Sequence, residues 1–232
     1  MPSAAGEARE TTGARARARV GVLSLQGDFE RHAASLATLG VEPVRVTLPR
    51  DLEGVVALVM PGGESTTMLR LLETTGLRAP VEAFARAHPV LGTCAGLILL
   101  GSGSEGLPAT TFGVLDVAVE RNAYGRQIDS FSAEVQAPVV GGAFQGVFIR
   151  APRIRAVGAG VTVVATRNGE PVGVRQGEAV GLCFHPELTG DLRFHRWFLG
   201  EVAGLPLPAA GDATSGAGGA AGAGGAVAGE AR

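Results

Sequence analysis

The sequence predicts an α/β fold with a mostly parallel central sheet flanked by helices and an antiparallel extension. Three observations carry that expectation. Short, nearly continuous apolar runs, the mark of strands covered on both faces, occur at Val20–Leu25, Val55–Met60, Pro89–Gly92 and Ala179–Phe184. Helical patterns separate the early runs, so successive strands run parallel through right-handed crossovers. From Val114 to Val174 the helical periodicity fades and shorter strand patterns follow one another.

Each element has its own local reason. Val20–Leu25 is the first strand, and Asp28–Leu39 the first helix. After the strand at Val55–Met60, a helix spans Ser65–Thr75. Ser65 can cap it, Met68, Leu71 and Leu72 share a face, and Gly76 stops it. Ala79–Ala87 is a third helix, Pro89–Gly92 a strand, and Ala95–Leu100 the helix directly after it. Val114–Glu120, Val147–Ile149 and Val161–Thr166 supply the antiparallel part, and Ala179–Phe184 is a last apolar strand.

The 232 residues suit one domain. Pro208–Arg232 contains 10 Ala and 8 Gly and has little side-chain surface to bury, so it is expected to be a flexible tail. Residues 1–19 are similar, with Arg15, Arg17 and Arg19 alternating with Ala. That alternation reads as a solvated extension, with weak nucleic-acid or partner binding as the alternative. The folded domain is expected over residues 20–207. All 20 basic residues are Arg, yet the net charge of −2 gives no basic field, which argues against nucleic acid as main partner. No window offers the roughly 20 consecutive apolar residues of a membrane span. Two cysteines, Cys94 and Cys183, make neither a disulfide scaffold nor a zinc site, and a reduced, cytoplasmic setting fits them.

Three strand ends carry chemistry, as expected at the carboxyl edge of a parallel sheet. Gly92-Thr93-Cys94-Ala95-Gly96 has the form of a nucleophile elbow with Cys as nucleophile. The following helix points its N-terminus at the sulfur, favouring thiolate, and the Ala95 amide can donate to an oxyanion. The alternative is a small buried cysteine used for packing. His185-Pro186-Glu187 follows the last strand, and two-residue spacing in an extended segment puts His and Glu on one side. There the imidazole can take the thiol proton while the carboxylate orients it. Cys183 is assigned to packing, and His32, His88 and His195 to structural or exposed positions. Pro61-Gly62-Gly63-Glu64-Ser65 allows close backbone approach and lacks the Lys of a nucleotide-binding loop. Beside a cysteine elbow its best use is a second oxyanion donor, with a carboxylate or amino-group contact.

These motifs resemble those of class I, triad-type glutamine amidotransferases: PGGESTT at 61–67, GTCAGLILL at 92–100 and HPELT at 185–189. With VLSLQGD at 22–28, ERNAYGRQIDSF at 120–131 and GVFIRAP at 146–152, the chain is similar to the glutaminase subunits of pyridoxal 5′-phosphate synthase. The resemblance covers nearly all of residues 20–203. It implies a three-layer class I glutamine amidotransferase-like fold and hydrolysis of L-glutamine to glutamate and ammonia through a thioester on Cys94. His185 would shuttle protons and Glu187 would orient it. Gly63 and Ala95 would form the oxyanion hole. Glutamine contacts would fall on Gly63, Glu64, Ser65, Arg121, Ile149 and Arg150, with no metal and no cofactor. Ammonia would pass to a synthase subunit in a hetero-oligomeric complex, with Gln26 and the PGG loop facing it, and pyridoxal phosphate would be the product. The alternatives are a related cysteine hydrolase acting on another γ-glutamyl or peptide substrate, or a non-catalytic regulatory subunit of the synthase.

Overall fold

The computed structural model describes residues 16–121, 123 and 130–209. Most of the two tails expected to be flexible, and residues 122 and 124–129 of the ERNAYGRQIDSF motif, lie outside the described residues. Strands β1 (Arg19–Leu23), β2 (Glu42–Val46), β3 (Ala57–Met60), β4 (Val90–Thr93) and β12 (Ala179–Leu182) form the parallel half of a nine-stranded sheet. Its order is β2-β1-β3-β4-β12, and every pairing within it is parallel. The sheet continues antiparallel through β11 (Glu170–Gln176), β10 (Thr162–Arg167), β7 (Ser130–Ala137) and β8 (Gly142–Ile149). The expected antiparallel extension is thus present, but β6 (Leu115–Glu120) leaves it. With β5 (Gly101–Gly103) and β9 (Arg153–Val157) it forms a separate three-stranded sheet.

All residues of β3, β4 and β12 are buried, the consequence of their continuous apolar runs. Helices α1 (Phe29–Thr38), α2 (Ser65–Thr74), α3 (Arg78–Ala87) and α4 (Ala95–Leu100) agree with the expected positions to within about a residue at each end. Two local expectations need correction. Ser65 does not cap α2; it is buried as the first helical residue, and Glu64 is the cap, accepting from the Thr67 amide at 2.8 Å. His185-Pro186-Glu187 is not extended either. Strand β12 ends at Leu182, and Pro186–Leu188 is a single 3₁₀ turn, in which a proline at the first position fits because its missing N–H is not needed.

A short helix, α5 (Arg193–Trp197), continues as a π turn through Val202. Aromatic packing locks it against the sheet: Phe194 meets Phe144 and Phe184 edge-on at 4.8 and 5.3 Å. Phe184 immediately precedes His185, so this cluster also anchors the backbone that carries the histidine.

Candidate active site

The insertion of β12 beside β4 brings distant motifs together. Leu182 pairs with Thr93, and Met60 of β3 pairs with Gly92, so residues 61–65, 94–95 and 183–187 all emerge at one sheet edge. Cys94 has φ 49 and ψ −101, the strained conformation expected of an elbow, and starts α4. Its amide donates to Leu182 O at 2.8 Å, and the His185 amide donates to Val147 O at 2.8 Å. Two glycines admit the close approaches. A methyl group on Gly96 would lie 2.1 Å from Met60 O, and one on Gly62 would lie 2.2 Å from Cε1 of His185.

His185 Nδ1 lies 2.7 Å from Glu187 Oε1. The 3₁₀ turn makes this contact, which leaves Nε2 for the thiol. Burial opposes the charge on His185, but hydrogen bonding to the Cys94 sulfur and the Glu187 carboxylate outweighs it and pushes the imidazole up to about 10. Burial likewise opposes the Glu187 charge, yet His32 and His185 hold this carboxyl well below the usual carboxylate range. Cys94, His185 and Glu187 are each nearly buried, so these interactions act where water screens little. The Cys94 sulfur lies 3.8 Å from Ile149 O.

A cavity of about 180 Å³ opens over Cys94 and His185. It is lined by Gly62, Gly63, Glu64 and Ser65, by Ile149 and Arg150, and by Arg121. Arg150 has φ 41, so the backbone turns sharply at this position. The structure therefore gathers every residue singled out for glutamine contact around one cavity. Glu64 and Arg121 meet each other across the cavity lining at 3.1 Å. Partial burial raises Glu64, but the Thr66 and Thr67 hydroxyls and the Thr67 amide lower it more, to about 2. Gln26 Nε2 donates to Glu64 O at 2.6 Å and ties the β1–α1 loop to the PGG loop.

Some neighbours lie within the quoted motifs but were not singled out as site residues. Asp28 and Ile98 line the cavity. Cys183, assigned to packing, is fully buried and its thiol is pushed above the ordinary range by burial and by Cys94. His88 is exposed and stacks on Phe84 at 4.4 Å. His32 and His195 are fully buried behind Glu187, a position that their helix-like contexts did not reveal.

Comparison with known proteins agrees with this architecture. A protein of Geobacillus kaustophilus named pyridoxal 5′-phosphate synthase subunit PdxT is 49% identical over 185 residues, covering 79% of this chain and 94% of the relative. A crystal structure of a glutamine amidotransferase is 46% identical, covers 80% of this chain and 99% of its own, and superposes with a TM-score of 0.75. At 16% identity and a TM-score of 0.58, PurLQS from Thermotoga maritima shares the fold. The description "SNO glutamine amidotransferase family" matches residues 22–204, and with the cysteine elbow and its His–Glu pair in place, the chain belongs to that family.

Proposed function

We propose that this chain is a glutaminase that hydrolyses L-glutamine to L-glutamate and ammonia and hands the ammonia to the synthase subunit of pyridoxal 5′-phosphate synthase in the cytoplasm. The observation that carries the reading is the meeting of the Cys94 elbow with the His185–Glu187 pair at adjacent strand ends. Membership of a glutamine amidotransferase family supports the amide substrate. The name of the Geobacillus relative supports the partner.

In this mechanism the Cys94 sulfur attacks the side-chain amide carbon of glutamine. Negative charge on the carbonyl oxygen is taken by the amides of Gly63 and Ala95. His185, an imidazolium at neutral pH, gives its proton to the leaving nitrogen, the C–N bond breaks and ammonia departs from a γ-glutamyl thioester. The neutral imidazole then takes a proton from water, hydroxide attacks the thioester, and glutamate leaves as the Cys94 sulfur is restored. Glu187 orients the ring throughout. Arg121 suits the α-carboxylate and Glu64 the α-amino group, while Ser65, Ile149 and Arg150 shape the cavity. The PGG loop and Gln26 lie toward the synthase contact.

The test is glutamate release from glutamine by wild type and Cys94→Ala, with and without the synthase. Wild type should release glutamate, faster with the partner, and Cys94→Ala should release essentially none. Equal release by both proteins would overturn the assignment of Cys94.

A further inference from the structure

Glu187 has two carboxylate oxygens, and the His185 contact uses one. Oε2 is buried and has no well-directed hydrogen bond among the described residues. From α1, His32 brings its Nε2 to 3.2 Å from Oε2. The same nitrogen lies 3.3 Å from Oγ1 of Thr93, the residue before Cys94. The other ring nitrogen, Nδ1, lies 3.0 Å from Nε2 of His195 on α5. His32, Thr93 and His195 are fully buried. A row of polar groups therefore runs from the cavity through His185, Glu187 and His32 to His195, inside an apolar core.

Proton positions along this row follow from what each nitrogen faces. Burial holds His195 down to about 3, so it is neutral. Its Nδ1 is buried without a hydrogen-bond partner among the described residues. An orphaned buried N–H is rarer than an orphaned acceptor, which assigns the His195 proton to Nε2, donated to His32 Nδ1. The His32 proton then sits on Nε2, directed at Thr93 Oγ1, with Glu187 Oε2 at 3.2 Å from the same nitrogen. Glu187 thus has a histidine ring nitrogen beside each oxygen, His185 Nδ1 at 2.7 Å and His32 Nε2 at 3.2 Å. A carboxylate held at one oxygen alone can swing; one held at both presents Oε1 to His185 in a single direction.

We propose that His32 is a positioning residue: the buried His195–His32 pair holds the second oxygen of Glu187 and thereby sets the orientation and proton affinity of His185. Two further titratable groups face His185. Asp28 brings a carboxylate oxygen within 4.8 Å of the nearest such atoms of His185 and Glu187, and Cys94 contacts the ring from the cavity side. Neither is altered in the test below. The activity readout rests on the glutaminase reading; the titration readout does not.

The experiment compares full-length wild type with His32→Leu, His32→Gln and His32→Asn. It records the titration of His185 by imidazole ¹⁵N NMR and synthase-stimulated glutamate release. His32→Leu should lower the pH at which His185 loses its proton by about one unit or more and reduce kcat roughly tenfold, with KM little changed. His32→Gln, whose amide reaches where Nε2 was, should restore both readouts; His32→Asn, which reaches only as far as Nδ1, should not. A folded His32→Leu with wild-type His185 titration overturns the proposal. If His32→Leu does not fold, the Gln and Asn variants decide it: retention by Gln alone supports it, and identical His185 titration in the two overturns it. A His185 titration that moves as expected in a protein releasing no glutamate would leave the positioning role standing and remove the glutaminase reading.

Discussion

The charge on His185 depends on Cys94. The Cys94 sulfur heads the interactions that raise His185 to about 10 against burial, and Glu187 adds to them. Because His185 is raised above its ordinary 6.5, its contribution to stability is complete below 6.5 and is lost as pH rises toward about 10. Glu187 is lowered from its ordinary 4.5, so its contribution holds above 4.5 and fades as pH falls below that value. Cys94→Ala should therefore lose less thermal stability than wild type between pH 6.5 and 10, measured as Tm against pH. Equal alkaline losses would mean the sulfur does not hold the imidazolium. Glu187→Gln should cut glutamate release by roughly two to four orders of magnitude while the protein stays folded, because an amide cannot balance the imidazolium charge. A kcat within threefold of wild type would remove Glu187 from the proposed triad.

At the scale of elements, the site is built where backbones nearly touch. Helix α4 packs so close to β3 that Gly96 leaves no room for a methyl group against Met60 O. Gly96→Ala should destabilise the fold by about 1–3 kcal/mol, read from urea unfolding midpoints, since backbone must move to admit the side chain. An unchanged midpoint would show that α4 can shift at no cost. Helix α2 depends on Glu64, whose carboxylate caps the first turn and also meets Arg121. One side chain thus joins helix stability to the cavity wall.

For the whole molecule, strand order does the assembling. Placing β12 between β4 and β11 brings residue 185 beside residue 94 and turns the sheet from parallel to antiparallel at that line. Among the described residues no helix is long and apolar enough to cross a membrane. The domain reaches slightly past residue 207: Arg196 donates to Pro208 O at 2.7 Å, and Pro208 is the nearest neighbour a methyl group on Gly40 would meet. Removing residues 210–232 should leave Tm and synthase-stimulated glutamate release unchanged, whereas a large loss of either would assign the Ala/Gly-rich segment a docking role.

Local patterning alone determined α1 to α4, the parallel strands other than β2 and the three motifs, because burial on both faces leaves a continuous apolar signature and an elbow needs its glycines. Strand β2, with Pro43 and two charges, and the longer β7 and β8, with alternating burial, gave no such run. The cap of α2 and the turn at Pro186 depended on competition between neighbouring groups, which residue type does not rank. Only tertiary structure could reveal the row behind Glu187. His32 and His195 lie 163 residues apart, and nothing local distinguishes a histidine buried against a carboxylate from one in solvent. Their roles come from what each ring nitrogen faces, and the packing of α1 and α5 decides that.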